Sequence, residues 1–131
     1  MIEDFLVVGG GPAGLAAALS VGRARRTTCL VDGGIPRNAA ATHVQNFVTR
    51  DGTPPSEFRA AGRADLGKYP NVRVVDGLVS SITGEKGHFV AETTGGVIHA
   101  KRILLTVGMV DLPLPIAGWA AHWGTSIFQC P

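Results

Sequence analysis

Residues Gly9-Gly10-Gly11-Pro12-Ala13-Gly14 fit the spacing G-x-G-x-x-G. That spacing suits one kind of chemistry, because it brings backbone N–H groups close to phosphate oxygens. Gly9 permits a tight turn after a strand. Gly11 leaves room for a pyrophosphate against the backbone, and Gly14 lets a helix pack close to the sheet. Pro12 and Ala13 fall in the first turn of that helix, where free N–H groups and a partial positive charge face an anion. Asp32 follows roughly 20 residues on. A carboxylate there accepts hydrogen bonds from ribose hydroxyls and disfavours a 2′-phosphate. In a chain with 18 glycines the triplet alone is weak; the order of strand, loop, helix, strand and acid gives it force. The expected ligand is a dinucleotide, and the motif by itself does not separate FAD from NAD.

The other reactive groups are two cysteines and four histidines. Cys29 lies in an apolar stretch and reads as a small buried hydrophobe. Cys130, followed by Pro131, is by its residues alone an ordinary thiol. His43, His88, His99 and His122 have no metal-ligand spacing, and no metal site is expected. Arg23, Arg25 and Arg26 form a basic cluster that suits the solvated C-terminus of a helix.

For the glycine loop to work, a strand must deliver it and a helix must receive it. Phe5 to Val8 is a short apolar run ending in glycines, a buried strand. Pro12 opens a helix through the Ala- and Leu-rich stretch from Ala13 to Val21. Thr27 to Val31 is a second buried strand, which completes a right-handed βαβ unit with parallel strands. Residues 33–52 show no period and read as a long functional loop. Thr53-Pro54-Pro55 caps a second helix that runs to about Lys68, with Pro70 ending it. Val72 to Val75 is a third strand. Val79 to Ile82, His88 to Glu92 and Val97 to Ala100 are short strands split by Gly-rich turns. A meander therefore replaces the helix of a plain Rossmann domain. It tilts the ligand towards FAD, because flavoproteins with two dinucleotide domains use such a crossover. Ile103 to Val107 is a fourth buried strand, and the tail with Pro113, Pro115 and Gly118 reads as irregular until Thr125.

The chain of 131 residues is long enough for one domain. With 45% hydrophobic and 17% charged residues it builds a packed core. A net charge of +2 calls for no nucleic acid and no membrane surface. No apolar run approaches the roughly 18 residues that span a bilayer. Met1-Ile2-Glu3-Asp4 carries acids where a secretory signal carries Lys or Arg. Two cysteines make no disulfide framework. A cytoplasmic protein is expected.

Val7-Val8-Gly9-Gly10-Gly11-Pro12-Ala13-Gly14-Leu15 resembles the opening of flavoprotein disulfide reductases. Gly33-Gly34-Ile35-Pro36-Arg37-Asn38-Ala39 and Arg50-Asp51-Gly52-Thr53-Pro54-Pro55 are similar to segments of bacterial thioredoxin-reductase-like oxidoreductases, a group similar to the dithiol oxidases of disulfide natural products. Leu104-Leu105-Thr106-Val107-Gly108 is similar to that family's strand end beside FAD, with Val107 in place of its Thr. The segment from His122 to Pro131 resembles the lead-in to a Cys-Pro-x-Cys redox centre. The resemblance covers essentially the whole chain.

The resemblance implies FAD as cofactor and an α/β, Rossmann-like FAD-binding domain over residues 1–131, with a parallel sheet and an inserted β-meander. Gly9, Gly11, Pro12, Ala13 and Gly14 would hold the pyrophosphate, and Asp32 and Gly33 the ribose side. Arg37 and Asn38 match the loop that closes over the cofactor, and Asn46 matches an Asn near the flavin. Val79 would offer backbone groups to adenine, while Thr106 and Gly108 would line the inner FAD site. Cys130 would be the redox-active, catalytic cysteine, its pKa lowered at a helix start. The implied parent is a thiol–disulfide oxidoreductase passing electrons between flavin and a cysteine pair. In that family an NAD(P)H domain follows the cysteines, and the chain then returns to complete the FAD domain. The expectation is thus a fold lacking that C-terminal completing segment, inactive alone, whose partner is a missing C-terminal half or a second chain, and which forms a homo-oligomer. The alternative is a standalone dinucleotide-binding module or subunit, completed by another chain and without catalysis of its own.

Overall fold

The computed structural model describes residues 1–127. Its centre is strand β2 (Phe5–Val8), which follows a two-residue strand β1 (Ile2–Glu3). Helix α1 (Pro12–Arg23) and strand β3 (Thr28–Asp32) complete the βαβ unit. After a long loop come helix α2 (Pro55–Leu66) and strand β4 (Val72–Asp76). The meander is β5 (Val79–Glu85), β6 (His88–Thr93) and β7 (Gly96–Ala100), and β8 (Ile103–Leu105) closes the sheet. Helix α3 (Trp119–His122) lies in the tail.

Two four-stranded sheets result. One is parallel, in the order β4-β3-β2-β8, and the other runs β1-β7-β6-β5. The meander strands pair antiparallel, while β1 joins β7 in parallel. The parallel strands are apolar on both sides because both of their faces are covered. Successive side chains point to opposite faces. Leu6 and Val8 of β2, with Cys29 and Val31 of β3, pack against Ala91, Ile98 and Ala100 of the meander. Val7 and Leu30 point the other way, onto Leu15 and Ala18 of α1 and Leu66 of α2. The order is thus helices, parallel sheet, meander, with a core on each side of the central sheet. Fully burying each such Leu or Val contributes about 1.5–3 kcal/mol.

Five local expectations need correction. Thr53 does not cap α2; the cap position is Pro54, with no side-chain bond. Pro55 at the first helical position has no N–H to satisfy, and the Thr53 carbonyl instead accepts the Val44 N–H at 2.7 Å. The helix stops at Leu66, before Gly67, and bonds from Lys68 to Asp65 and Tyr69 to Leu66 carry one tighter turn towards Pro70. Strand β8 ends at Leu105, since the Thr106 hydroxyl folds back onto the β2 end. The tail holds the one-turn helix α3, with Trp119 stacked on Trp123 at 6.0 Å. Strand β1 was not expected at all.

The end of α1 departs from the usual chemistry. Arg25 takes φ +57°, a position where glycine is favoured. The Arg25 N–H donates to Gly22 O at 2.9 Å and the Arg26 N–H to Val21 O at 3.1 Å, the paired bonds of a Schellman motif.

Candidate functional site

The glycine loop joins the end of β2 to the start of α1. Gly9 has φ +107° and its N–H donates to Val31 O at 2.8 Å, which fixes the loop against β3. A Cβ on Gly9 would stand 2.8 Å from the carbonyl carbon of Thr106. A Cβ on Gly14 would meet the Gly9 carbonyl and sit 2.8 Å from Thr106 Oγ1. Gly11 differs: nothing lies within 4 Å of its would-be Cβ, and its φ of −75° and ψ of −176° suit any residue. Backbone geometry does not require glycine there, so what the glycine provides is open space. Pro12 and Ala13 are exposed beside it, and the helical ladder begins with Leu15 N–H donating to Gly11 O at 2.9 Å. The first turn of α1 therefore faces outward with its N–H groups open to an anion.

Thr106 is structural as well as positional. Its Oγ1 lies 2.8 Å from Val8 O and 2.9 Å from Gly9 O. The single hydroxyl proton is shared between two carbonyls and ties β8 to the loop.

Asp32 ends β3 beneath a cluster of charges. Its Oδ1 accepts the Gly34 N–H at 2.9 Å. Its Oδ2 accepts Arg59 Nη2 at 2.7 Å and Arg63 Nη1 at 3.4 Å. Arg63 Nη2 also donates to Asp76 at 2.6 Å. Only 5% of the Asp32 side chain is exposed. Burial pushes its carboxyl upward. The Gly34 hydrogen bond and the charges of Arg59 and then Arg63 pull it down further, and it titrates below the ordinary carboxylate value. Gly10, the unspecified second position of the motif, lies under this carboxylate: a Cβ there would meet the Asp32 Cβ at 2.6 Å.

Beside Asp32, a Cβ on Gly33 would come within 2.7 Å of Leu78, itself more than half exposed. Gly77 N–H donates to Asp32 O at 2.9 Å, so the start of β5, with Val79, abuts the end of β3. Val79 also packs its side chain into the meander core. The loop of residues 33–53 is held at both ends. Arg37 makes two bonds to Asp111, at 2.9 and 2.6 Å, and its guanidinium is engaged there. Phe47 meets Phe58 of α2 edge-on at 5.1 Å. Asn38 forms a turn whose carbonyl accepts the Ala41 N–H at 3.0 Å. Asn46 is exposed, with φ +55° and its N–H on Asp51 at 2.7 Å. Gly108 is exposed at φ +64°.

The structure thus brings Gly9, Gly11, Pro12, Ala13, Gly14, Asp32, Gly33 and Thr106 together at the carboxyl ends of β2, β3 and β8. It sets Arg37, Asn38 and Asn46 in the neighbouring loop. Cys130 lies outside the described residues. Cys29 is fully buried, and burial pushes its thiol up to about 11. Among the described residues no group of acids, histidines and cysteines could hold a metal, and no helix is long and apolar enough to cross a membrane. Sequence reasoning missed Gly10, Arg59 and Arg63. The two arginines stand four apart, on one face of α2. That spacing was visible, but the acid they reach was not.

A four-stranded parallel sheet, a glycine loop at a helix start and a meander crossover define a Rossmann-like α/β unit. The chain belongs to the pyridine nucleotide-disulphide oxidoreductase family, whose profile matches residues 3–131. It is similar to thioredoxin reductases. One of these, aclD of Aspergillus oryzae, is 37% identical over 97% of this chain and 41% of its own length. Another, tcpT of Claviceps purpurea, is 33% identical over 98% of this chain and 41% of its own. The crystal structure of an oxidoreductase from Agrobacterium tumefaciens superposes with a TM-score of 0.94 at 41% identity, covering 100% of this chain and 45% of that one. The chain spans 33–41% of the length of the thioredoxin reductases it matches.

Proposed function

We propose that this chain is the FAD-binding portion of a thioredoxin-reductase-like thiol–disulfide oxidoreductase. The carrying observation is Gly11. Gly9, Gly10 and Gly14 are hemmed in, while the space beside Gly11 is open, which leaves the start of α1 accessible to a phosphate. A meander instead of a helix between β4 and β8 favours FAD over NAD.

In this reading residues 1–131 form one FAD-binding unit. The N–H groups of Gly11, Ala13 and Gly14 hold the pyrophosphate, with Pro12 fixing the helix start and Gly9 the turn. Asp32 and Gly33 take the ribose. Val79 and the exposed Leu78 meet the adenine. Thr106 holds the loop in shape, and Gly108 and Asn46 lie towards the flavin. Arg37 and Asn38 keep the long loop in place, Arg37 through Asp111. FAD, when bound, supplies the two-electron redox chemistry. Cys130 is the cysteine that exchanges with a disulfide. A resolving thiol is also required, and Cys29 does not serve, being buried with its thiol pushed up to about 11. The chain alone therefore binds and does not turn over. Its partner is the rest of a longer chain or a second chain, in a cytoplasmic homo-oligomer.

Calorimetric titration with FAD, ADP and NAD tests this reading. FAD and ADP should bind and NAD more weakly. Tight NAD binding with no FAD binding would overturn it, as would steady NAD(P)H-driven disulfide reduction by the chain with added FAD that disappears in Cys130→Ser.

A further inference from the structure

We propose that Arg59 is a positioning residue for nucleotide binding: it holds the Asp32 carboxylate in one orientation, so that a fixed oxygen meets the ribose. The proposal rests on Asp32 being the ribose acid, as read above.

A carboxylate has about four lone-pair sites. In Asp32, Gly34 N–H occupies one on Oδ1, while Arg59 and Arg63 take Oδ2. What remains is one side of Oδ1. The plane of the carboxylate is fixed from two directions. Beside it, Gly10 leaves no room for even a Cβ. The Arg59 guanidinium bridges Asp32 Oδ2 and the Gly34 carbonyl, at 2.7 and 3.4 Å. Arg59 Nε is the one buried side-chain nitrogen or oxygen without a partner among the described residues. The guanidinium keeps this place despite an unmet donor, so its contacts with Asp32 and Gly34 dominate. Arg63 is the weaker holder, at 3.4 Å and shared with Asp76.

The charged groups around Asp32 are Arg59 and Arg63 from α2 and Asp76 from the end of β4, with the Gly34 N–H from the following loop. Removing Arg59 leaves the burial of Asp32 with less opposing it, and the carboxyl midpoint rises. The ionised carboxylate accepts from ribose, so binding is present above the midpoint and lost as pH falls through it.

The test measures ADP affinity from pH 4 to 8 for wild type, Arg59→Met, Arg59→Lys and Asp32→Asn, with circular dichroism to confirm folding. Wild type should stay near its full affinity down to about the ordinary carboxylate range. Arg59→Met should bind about tenfold more weakly at pH 7.5, in line with losing one hydrogen bond to a charged group, and lose affinity at a higher pH than wild type. Arg59→Lys should recover part of both. Asp32→Asn should bind weakly, with no pH step. An Arg59→Met protein with wild-type affinity and an unmoved pH midpoint, while Asp32→Asn is impaired, overturns the positioning role alone. Wild-type ADP affinity in Asp32→Asn overturns the ribose reading itself.

Discussion

Gly10 and Asp32 occupy touching volumes: a single methyl group at position 10 would stand where the carboxylate group of Asp32 now sits. Position 10 is a free position in the G-x-G-x-x-G motif, yet in this chain it is closed. Gly10→Ala should displace Asp32 from Arg59 and overpack a buried site, losing roughly 1–3 kcal/mol of stability and weakening ADP binding. Thermal unfolding and calorimetry check both effects, and unchanged values for both would show that the carboxylate moves aside freely.

Gly14 and Gly11 should separate by what each one protects. Gly14→Ala drives a methyl group into the Gly9 carbonyl and Thr106, so the protein should lose roughly 1–3 kcal/mol even with no nucleotide present. Gly11→Val meets open space and should stay within about 0.5 kcal/mol of wild type, while FAD and ADP binding disappears. A Gly11→Val protein that binds either ligand as wild type does would remove the phosphate from this loop.

Arg25 should be improvable. A non-glycine residue held in the left-handed region costs about 1–2 kcal/mol, and no side-chain bond of Arg25 offsets this among the described contacts. Arg25→Gly should therefore raise stability by roughly 0.5–1 kcal/mol, partly offset by the more flexible unfolded chain. A lower melting temperature in urea-matched scans would mean that the arginine makes contacts that outweigh its backbone strain.

Cys29 should resist alkylation. With its thiol pushed up to about 11, about one molecule in a thousand is a thiolate at pH 8, and the meander packs against this side chain. Iodoacetamide treatment of the Cys130→Ser variant, followed by peptide mass mapping, should leave Cys29 unmodified in the native state and modified in denaturant. The same pKa carries a stability consequence. The native state keeps its proton above the ordinary thiol range while the unfolded chain loses it, so stability declines as pH rises from about 9 towards about 11.

Much of this architecture was legible in the residues. The strand, loop, helix and strand around Gly9 to Asp32 are local and periodic, and they appear where expected. The meander too was visible, since its turns are written in glycines between β-branched runs. The missed features are non-local or brief. Strand β1 has two residues and exists only because β7, nearly a hundred positions later, pairs with it. The Arg59–Asp32 pair joins residues 27 apart, and nothing near either one announces the other. The Arg37–Asp111 pair spans 74, so nothing near Arg37 pointed to the acid that engages it. The end of α2 was misjudged because Pro70 looked like the stronger breaker, while Gly67 comes first.

The hydroxyl of Thr106 bonds the carbonyls of Val8 and Gly9 from 98 and 97 positions away. The phosphate loop leaves the ribosome well before the residue that braces it. During synthesis the loop is held on the β3 side alone until β8 arrives to pair with β2. A nascent chain shorter than this point has no rigid cradle to offer a nucleotide, so capture of the ligand waits until β8 and Thr106 have been made.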